Sequence, residues 1–523
     1  MELLVASSIA PVQRSEAAPR RLAVIDLGSN SFRLVVFTAA VDEGWWKRTD
    51  EIYEPVRIGE GLGSGDELRP GAMDRALATV DVFAHFCRAS ALSGDAVDAV
   101  ATSAIRDARN AEEFLVRARR LSDLSIRVLS REEEARYGYL AAVNSTTLSD
   151  GYVLDLGGGS LQLVRVDARL ATESGSWPLG AVRMTERFLA AKGPAKRRQL
   201  DELRDHVRQT LADAPWLAEV GRRLIGVGGT VRNLAAAVQR AAGLPSFGVQ
   251  GQLITREALD ALVERLAALP ATERGDVPGI KPARADLILA GAVVIQTVLE
   301  LGEFDALEAT EAGLREGVFF ERYLADREPP LFDDVRRASV RNLAAQYHAV
   351  GPHTDHVAAL ALGLFDDLAA AGLHDGDPTE RELLQAASWL HDIGMSVDYD
   401  DHHKHTRYLI LNAGLPGFSP REVALIAQAA RYHRKGMPDP GPMASLLDRD
   451  DERRLDRMAV LLRLAEGLER SRDQIVREVR VRRDGDTIEL QLIADGEVAV
   501  PRWAASRETE LFERAFGVKL RVA

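Results

Sequence analysis

Leu22-Ala-Val-Ile-Asp26-Leu-Gly28-Ser29-Asn30-Ser31 and Tyr152-Val-Leu-Asp155-Leu-Gly157-Gly158-Gly159-Ser160 follow one pattern. Each begins as an apolar run, places an aspartate near its end, and breaks into a glycine-containing turn. An apolar strand of this kind delivers a carboxylate to the mouth of a site. The glycines then allow the backbone to approach a phosphate closely and to aim N–H groups at it. Two such turns, well separated in the chain, predict a duplicated phosphate clamp facing one cleft.

The surroundings repeat as well. Strands are expected at Arg21–Ile25, Phe32–Thr38, Ala96–Thr102 and Ile126–Leu129, with helices at Gly71–Ala91, Ala111–Leu121 and Glu132–Asn144. A second α/β unit starts with strands at Gly151–Leu156 and Leu161–Asp167. It runs through Leu224–Val227 and the helix Val231–Gln239, and closes near Leu324. Asp326–Asp334 is acidic and contains Pro329 and Pro330, which reads as a linker. Helices follow to about Arg472, and alternating polar and apolar positions over Val479–Ile493 indicate a small β-containing cap. The expected division is a poorly ordered extension over 1–20, α/β units over 21–135 and 136–325, a helical domain over 326–472 and a small α+β domain over 473–523.

A chain of 523 residues is too long for one ordinary domain. Its hydrophobic fraction of 46% and charged fraction of 28% fit a globular protein. The net charge of −13 gives no overall basic field for nucleic acid or an anionic membrane, so a polyanionic substrate needs local basic patches. No apolar run is long enough to span a bilayer. Cys87 is the only cysteine, which rules out internal disulfides and suits a reducing cytoplasm.

Asp26 and Asp155 are the candidates for Mg²⁺, whose hard-oxygen preference is met by one or two carboxylates plus phosphate oxygens. Gly28, Ser29, Asn30 and Ser31, with Gly157, Gly158, Gly159 and Ser160, are the candidate phosphate cradles. A third turn, Gly226-Val-Gly228-Gly229-Thr230, precedes a helix; such a turn serves an anion or tight strand–helix packing. Thr102, Ser103 and Arg106 offer hydroxyls and a forked donor at a strand end. Glu132, Glu133 and Glu134 complement a helix dipole, or supply a general base. Lys192–Arg198 is the densest basic run, either a polyanion path or a solvated helix face.

These segments resemble the exopolyphosphatase / guanosine-pentaphosphate phosphohydrolase (Ppx/GppA) family of the actin-like superfamily. The resemblance rests on Val24–Arg33, Ala101–Asn110, Glu132–Ala135, Leu154–Ser160, Gly226–Thr230, Pro278–Asp286 and Glu311–Gly317. It implies two actin-like, ribonuclease H-like α/β domains around a cleft. It also implies Mg²⁺-dependent release of orthophosphate from the ends of inorganic polyphosphate. Guanosine pentaphosphate 5′-phosphohydrolysis, or an alarmone or polyphosphate sensor with weak turnover, are the alternatives. By position the catalytic glutamate falls on Glu134, the magnesium aspartate on Asp155 and the phosphate-binding arginine on Arg106, with Arg183 in a Gly-x-x-Arg turn as a further contact. Ser130-Arg131 departs from the Ser-Gly that often precedes the acidic run. A homodimer is also implied.

The helical half carries a histidine cluster. His356 opens a helix over Val357–Leu368, Glu380–Leu390 ends at His391-Asp392, and His402, His403, His405 and His433 follow. A His-Asp pair with a histidine from an earlier helix holds divalent metals through N and O ligands. The pattern resembles HD phosphohydrolases, with Glu466 where that family has aspartate. It implies an all-α HD-like domain with a second divalent-metal site at His356, His391, Asp392 and Glu466.

Overall fold

The computed structural model of the chain describes residues 18–189, 193–217 and 223–523. β1 (Arg20–Leu27) and β2 (Phe32–Ala40) form the first hairpin, and β3 (Trp45–Glu54), β4 (Val97–Ala101) and β5 (Ile126–Val128) complete a sheet of order β3-β2-β1-β4-β5. The second sheet is built from β6 (Gly151–Leu156), β7 (Leu161–Asp167), β8 (Leu170–Trp177), β9 (Arg223–Val227), β10 (Leu253–Thr255) and β11 (Ala306–Ala309), in the order β10-β11-β9-β6-β7-β8. In each sheet three antiparallel strands are followed by two parallel ones, and in the second sheet β10 adds an antiparallel edge. The repeat expected from the two turns is therefore a repeat of sheet topology.

β1 and β6 read as nearly unbroken apolar runs because both faces are covered. Ala23, Ile25 and Leu27 pack against the helices Pro70–Ala89 and Ala111–Ser122. Val24 faces the other way, into a core shared with Val153, Ile225, Leu140 and Phe319. Tyr152, Leu154 and Leu156 enter the core of the second sheet. Helices Arg131–Val143 and Leu314–Tyr323 lie between the sheets and pack closely. A methyl on Gly317 would overlap the Tyr137 backbone.

β3 and β8 were not expected from sequence. Both are edge strands, largely solvent-facing and polar, so neither carries the apolar alternation that marks a half-buried strand. Asp326–Asp334 crosses to the helical half under restraint. Asn144 donates to Pro330 O at 3.0 Å and accepts from Phe332 N at 2.9 Å.

Beyond it stand helices Val335–Gln346, Pro352–Ala370, Pro378–Leu390, His402–Ala413, Pro420–Arg431 and Arg449–Leu468. They are followed by a sheet of β12 (Val476–Asp484), β13 (Thr487–Ala494) and β14 (Lys519–Val522). Val476, Ile488 and Phe512 join Leu364 and Leu461 in one hydrophobic core, so the terminal sheet is part of the helical body. The halves also touch at Trp46, whose N–H donates to Asn342 (2.8 Å) and whose carbonyl accepts from Gln346 (3.0 Å). Among the described residues, no helix is long and apolar enough to cross a membrane.

Candidate active site

The two hairpins superpose in register. Asp26 pairs with Arg33 and Asp155 with Gln162, each one pair before its hairpin turns. Both turns close identically, with Gly28 N–H donating to Ser31 O (3.2 Å) and Gly157 N–H to Ser160 O (3.0 Å). A third glycine turn joins them where β9 ends: Gly228 has φ 104°, in the region that favours glycine, and a side chain there would crowd Asp155 and the Leu156 carbonyl.

Asp26, Gly28, Ser29, Asn30, Ser31, Thr102, Ser103, Glu134, Asp155, Gly157, Gly158, Gly228 and Gly229 all line one cleft of about 120 Å³. The Ser29 and Ser103 hydroxyls lie 3.0 Å apart and tie the first hairpin to the end of β4.

Local sequence explains how the three glutamates divide. Ser130 caps helix Arg131–Val143 by accepting from Glu133 N–H, and the Glu133 side chain accepts from Ser130 N–H. Glu133 also pairs with Arg127 (2.6 Å), and Glu132 points to solvent. One position on, Glu134 is buried in the cleft wall. It accepts from Arg106 at 2.7 Å and from the Ser160 hydroxyl at 3.2 Å.

The cleft gathers three carboxylates, Glu134 buried in its wall and Asp26 and Asp155 partly exposed into it. Burial pushes the Asp155 carboxyl up to about 7, reinforced by the Glu134 and Asp26 charges. Burial also raises Asp26, against the pull of Arg315 (3.5 Å) and Arg33. Burial raises Glu134 as well, with Arg106 opposing. Asp26 and Asp155, converging on one cleft, costly to ionise and with no hydrogen bond between them, are a donor set suited to a hard divalent cation.

Sequence reasoning missed four arginines. Arg33, Arg232, Arg284 and Arg315 line the cleft and continue into a wider channel of about 680 Å³ that also takes in Arg48 and Lys281. Arg232 is held by the Glu311 carbonyl (2.8 Å), and burial beside Arg315 lowers it to about 10. Their signal is positional. Arg232 and Arg315 sit in the first turns of helices that start at glycines, where a side chain leans back over the helix start.

Several expectations are corrected. Arg106 does not line the cleft; it stands behind Glu134, clamped to its carboxylate and to Leu129 O. Ser160 likewise serves Glu134, and Thr230 is buried with its methyl against Gly291. Gly159 and Arg183 face a small cavity behind the loop, and Arg183 is engaged by Asp107 at 3.0 Å. Helix Ala181–Phe188 begins there because its first N–H groups donate to Gly157 O and Gly158 O. Of the basic run, Lys192 lies outside the described residues. Arg197 and Arg198 are almost fully exposed and paired with Asp201 and Glu202, a solvated helix face.

In the helical half, His356 is not with His391 and Asp392. The helix starts earlier than expected, at Pro352, which puts His353 in its first turn and facing Glu466 at 3.3 Å. His356 lies one turn on and bonds to Val476 O on β12 (2.8 Å).

Residues 39–325 match the Ppx/GppA phosphatase family, and residues 335–500 match domain III of Ppx/GppA phosphatases. A Ppx/GppA family member from Aquifex aeolicus is 28% identical, with a TM-score of 0.51 over 59% of this chain and 99% of that one. An exopolyphosphatase-like protein is 29% identical, with a TM-score of 0.52 over 57% of this chain and 96% of that one. An exopolyphosphatase from Cytophaga hutchinsonii shares the fold at 23% identity, with a TM-score of 0.54 over 58% of this chain and 98% of its own. With the repeated actin-like sheets, the paired aspartate turns and these matches together, the chain belongs to the Ppx/GppA phosphatase family.

Proposed function

We propose that the protein is an exopolyphosphatase, releasing orthophosphate from the end of inorganic polyphosphate. The observation that carries this reading is the shape and charge of the cleft. A small chamber holding Asp26, Asp155 and Glu134 opens into a channel whose walls carry Arg33, Arg48, Arg232, Lys281, Arg284 and Arg315. A terminal phosphate fits the chamber, and a repeating polyanion fits the row of cations behind it. The one aromatic ring among the described channel residues, Tyr53, is half-buried beneath Arg33 (4.6 Å), so little of it is free for a nucleobase.

Asp26 and Asp155 would hold Mg²⁺, which when bound supplies charge neutralisation at the terminal phosphate. The rest is work for the chain's own groups. The N–H groups and hydroxyls of the two turns fix the phosphate oxygens. Arg315 and Arg33 counter the charge of the phosphate and of Asp26. Glu134 takes a proton from a water whose oxygen bonds to the terminal phosphorus as the anhydride P–O bond breaks. Arg106 and Ser160 hold that carboxylate in place and favour its ionised form against the burial that raises it. A homodimer in the cytoplasm completes the proposal.

Substrate choice is tested by kcat/KM with Mg²⁺ for long-chain polyphosphate and for guanosine pentaphosphate. A value at least tenfold higher for polyphosphate is expected. The reverse order would replace this reading with the nucleotide phosphohydrolase.

A further inference from the structure

The front cleft leaves the histidines of the helical half unused, and five helices bring them together. His353 comes from the first turn of Pro352–Ala370, His391 and Asp392 follow Pro378–Leu390, and His402 opens His402–Ala413. His433 follows Pro420–Arg431, and Glu466 lies near the end of Arg449–Leu468. Two groups of potential ligand atoms result, His353 with His391 and Asp392, and Asp392 with His402 and His433.

Glu466 Oε2 stands 3.3 Å from His353 Nε2 and 3.4 Å from His391 Nε2. Asp392 Oδ1 lies 3.6, 3.5 and 3.8 Å from Nε2 of His391, His402 and His433. The extra methylene of Glu466 is what carries its oxygen to the two histidines.

The hydrogen bonds fix the tautomers. Nδ1 of His391, His402 and His433 faces Ser388 O (2.7 Å), Tyr399 O (2.8 Å) and Ala430 O (2.7 Å). A carbonyl oxygen only accepts, so each Nδ1 carries hydrogen and each neutral ring turns an Nε2 lone pair inward. Nε2 of His402 and Nε2 of His433 are nevertheless 3.0 Å apart. Two lone pairs at that separation repel unless a proton or a metal cation lies between them. Two cis ligands at about 2.1 Å from one metal ion are spaced by about 3 Å. Nearby, His353 Nε2, His391 Nε2 and Glu466 Oε2 are buried without any hydrogen-bond partner. Backbone bonds that set the tautomer of a ring are the usual support of a ligating histidine.

Asp392, His402, His433 and Glu466 of the cluster line a cavity of about 750 Å³, with His353 and His391 behind them. Arg434, Lys435, Arg470, Arg472 and Arg507 stand in its walls, and Arg472 reaches down to Asp392 Oδ2 at 2.9 Å. Tyr399 and Trp503, both more than half exposed, lie at its edge. Metal ligands beneath, cations around and aromatic rings above match the three parts of a nucleoside phosphate.

We propose that the helical half holds a second hydrolytic centre. Asp392 bridges two divalent cations, one on His353, His391 and Glu466 and the other on His402 and His433, and the cavity above takes a nucleoside phosphate ester. In the reaction the oxygen of a water bonds to phosphorus as the ester P–O bond breaks. The leaving oxygen receives one proton of that water, and the other stays with the phosphate and solvent. No redox partner is involved, and nothing in this centre depends on the front cleft.

The full-length Glu134→Gln chain, stripped with EDTA and dialysed against Mn²⁺, is the material for the test. Mass spectrometry of the metal is expected to find two ions per chain, with Mn²⁺ raising the melting midpoint. His433→Gln in that background should keep one ion and Asp392→Asn none, with the circular dichroism of both unchanged. Mn²⁺-dependent release of nitrophenolate from p-nitrophenyl thymidine 5′-phosphate should fall at least 100-fold in Asp392→Asn. Metal content below one ion per chain, or content indifferent to Asp392→Asn, would overturn the centre. Two bound ions without hydrolysis would overturn its catalytic role.

Discussion

Asp155 shows how the front cleft trades stability for function. Its carboxyl, ordinarily ionised above 3.8, is pushed up to about 7 by burial and by Glu134. Between those values the folded chain holds a proton that the unfolded chain has released. The contribution of this group to stability therefore falls as pH rises through that window. Asp155→Asn removes the cost. The variant should melt several degrees above wild type at pH 8 in EDTA, and the difference should shrink toward pH 4. Mg²⁺ should raise the wild-type midpoint at pH 8 and leave the variant's unchanged. Differential scanning calorimetry at three pH values checks both; a difference from wild type no larger at pH 8 than at pH 4 would contradict the assignment. Burial raises Glu134 too, and Arg106 and Ser160 oppose that rise in part, which favours the base form in a wall otherwise hostile to charge.

Among the elements, the glycine loop Gly157–Gly159 is held from behind by the start of helix Ala181–Phe188. A methyl on Gly180 would overlap the Gly158 carbonyl, so Gly180→Ala should displace the loop and lower kcat/KM for polyphosphate by at least tenfold. Gly71→Ala, in open space on an exposed helix face, is the control and should leave activity unchanged. Activity retained in Gly180→Ala would mean the loop does not position phosphate. The two hairpins were legible in the sequence because an aspartate and a glycine turn punctuate strands buried on both faces. The edge strands β3 and β8 were not, since solvent-facing residues carry no pattern of burial. His353 was missed for a related reason. The helix start was read from its apolar stripe, whereas Pro352 begins it a turn earlier and shifts the ligand from His356 by three residues. Arg232 and Arg315 gave no charge-run signal, because each is a single cation brought to the cleft by the start of its own helix.

Taken whole, the molecule carries a net charge of −13 yet concentrates cations along the channel of the front half. Association with a polyanion should therefore be steered locally and weaken with salt. Replacing Lys281 and Arg48 together by alanine should raise KM for long-chain polyphosphate three- to tenfold with kcat nearly unchanged. Short chains that do not reach these residues should be little affected. Equal effects on both lengths, read by initial rates, would remove these residues from the polyanion path.

The central claim is that Glu134 activates water at the junction of the two repeated sheets. Its direct test is phosphate release from long-chain polyphosphate, with Mg²⁺, by wild type and Glu134→Gln. A loss of about 10²- to 10⁴-fold in kcat is predicted, the usual contribution of a positioned base. Turnover in the variant within threefold of wild type would contradict the account and move the chemistry away from this cleft.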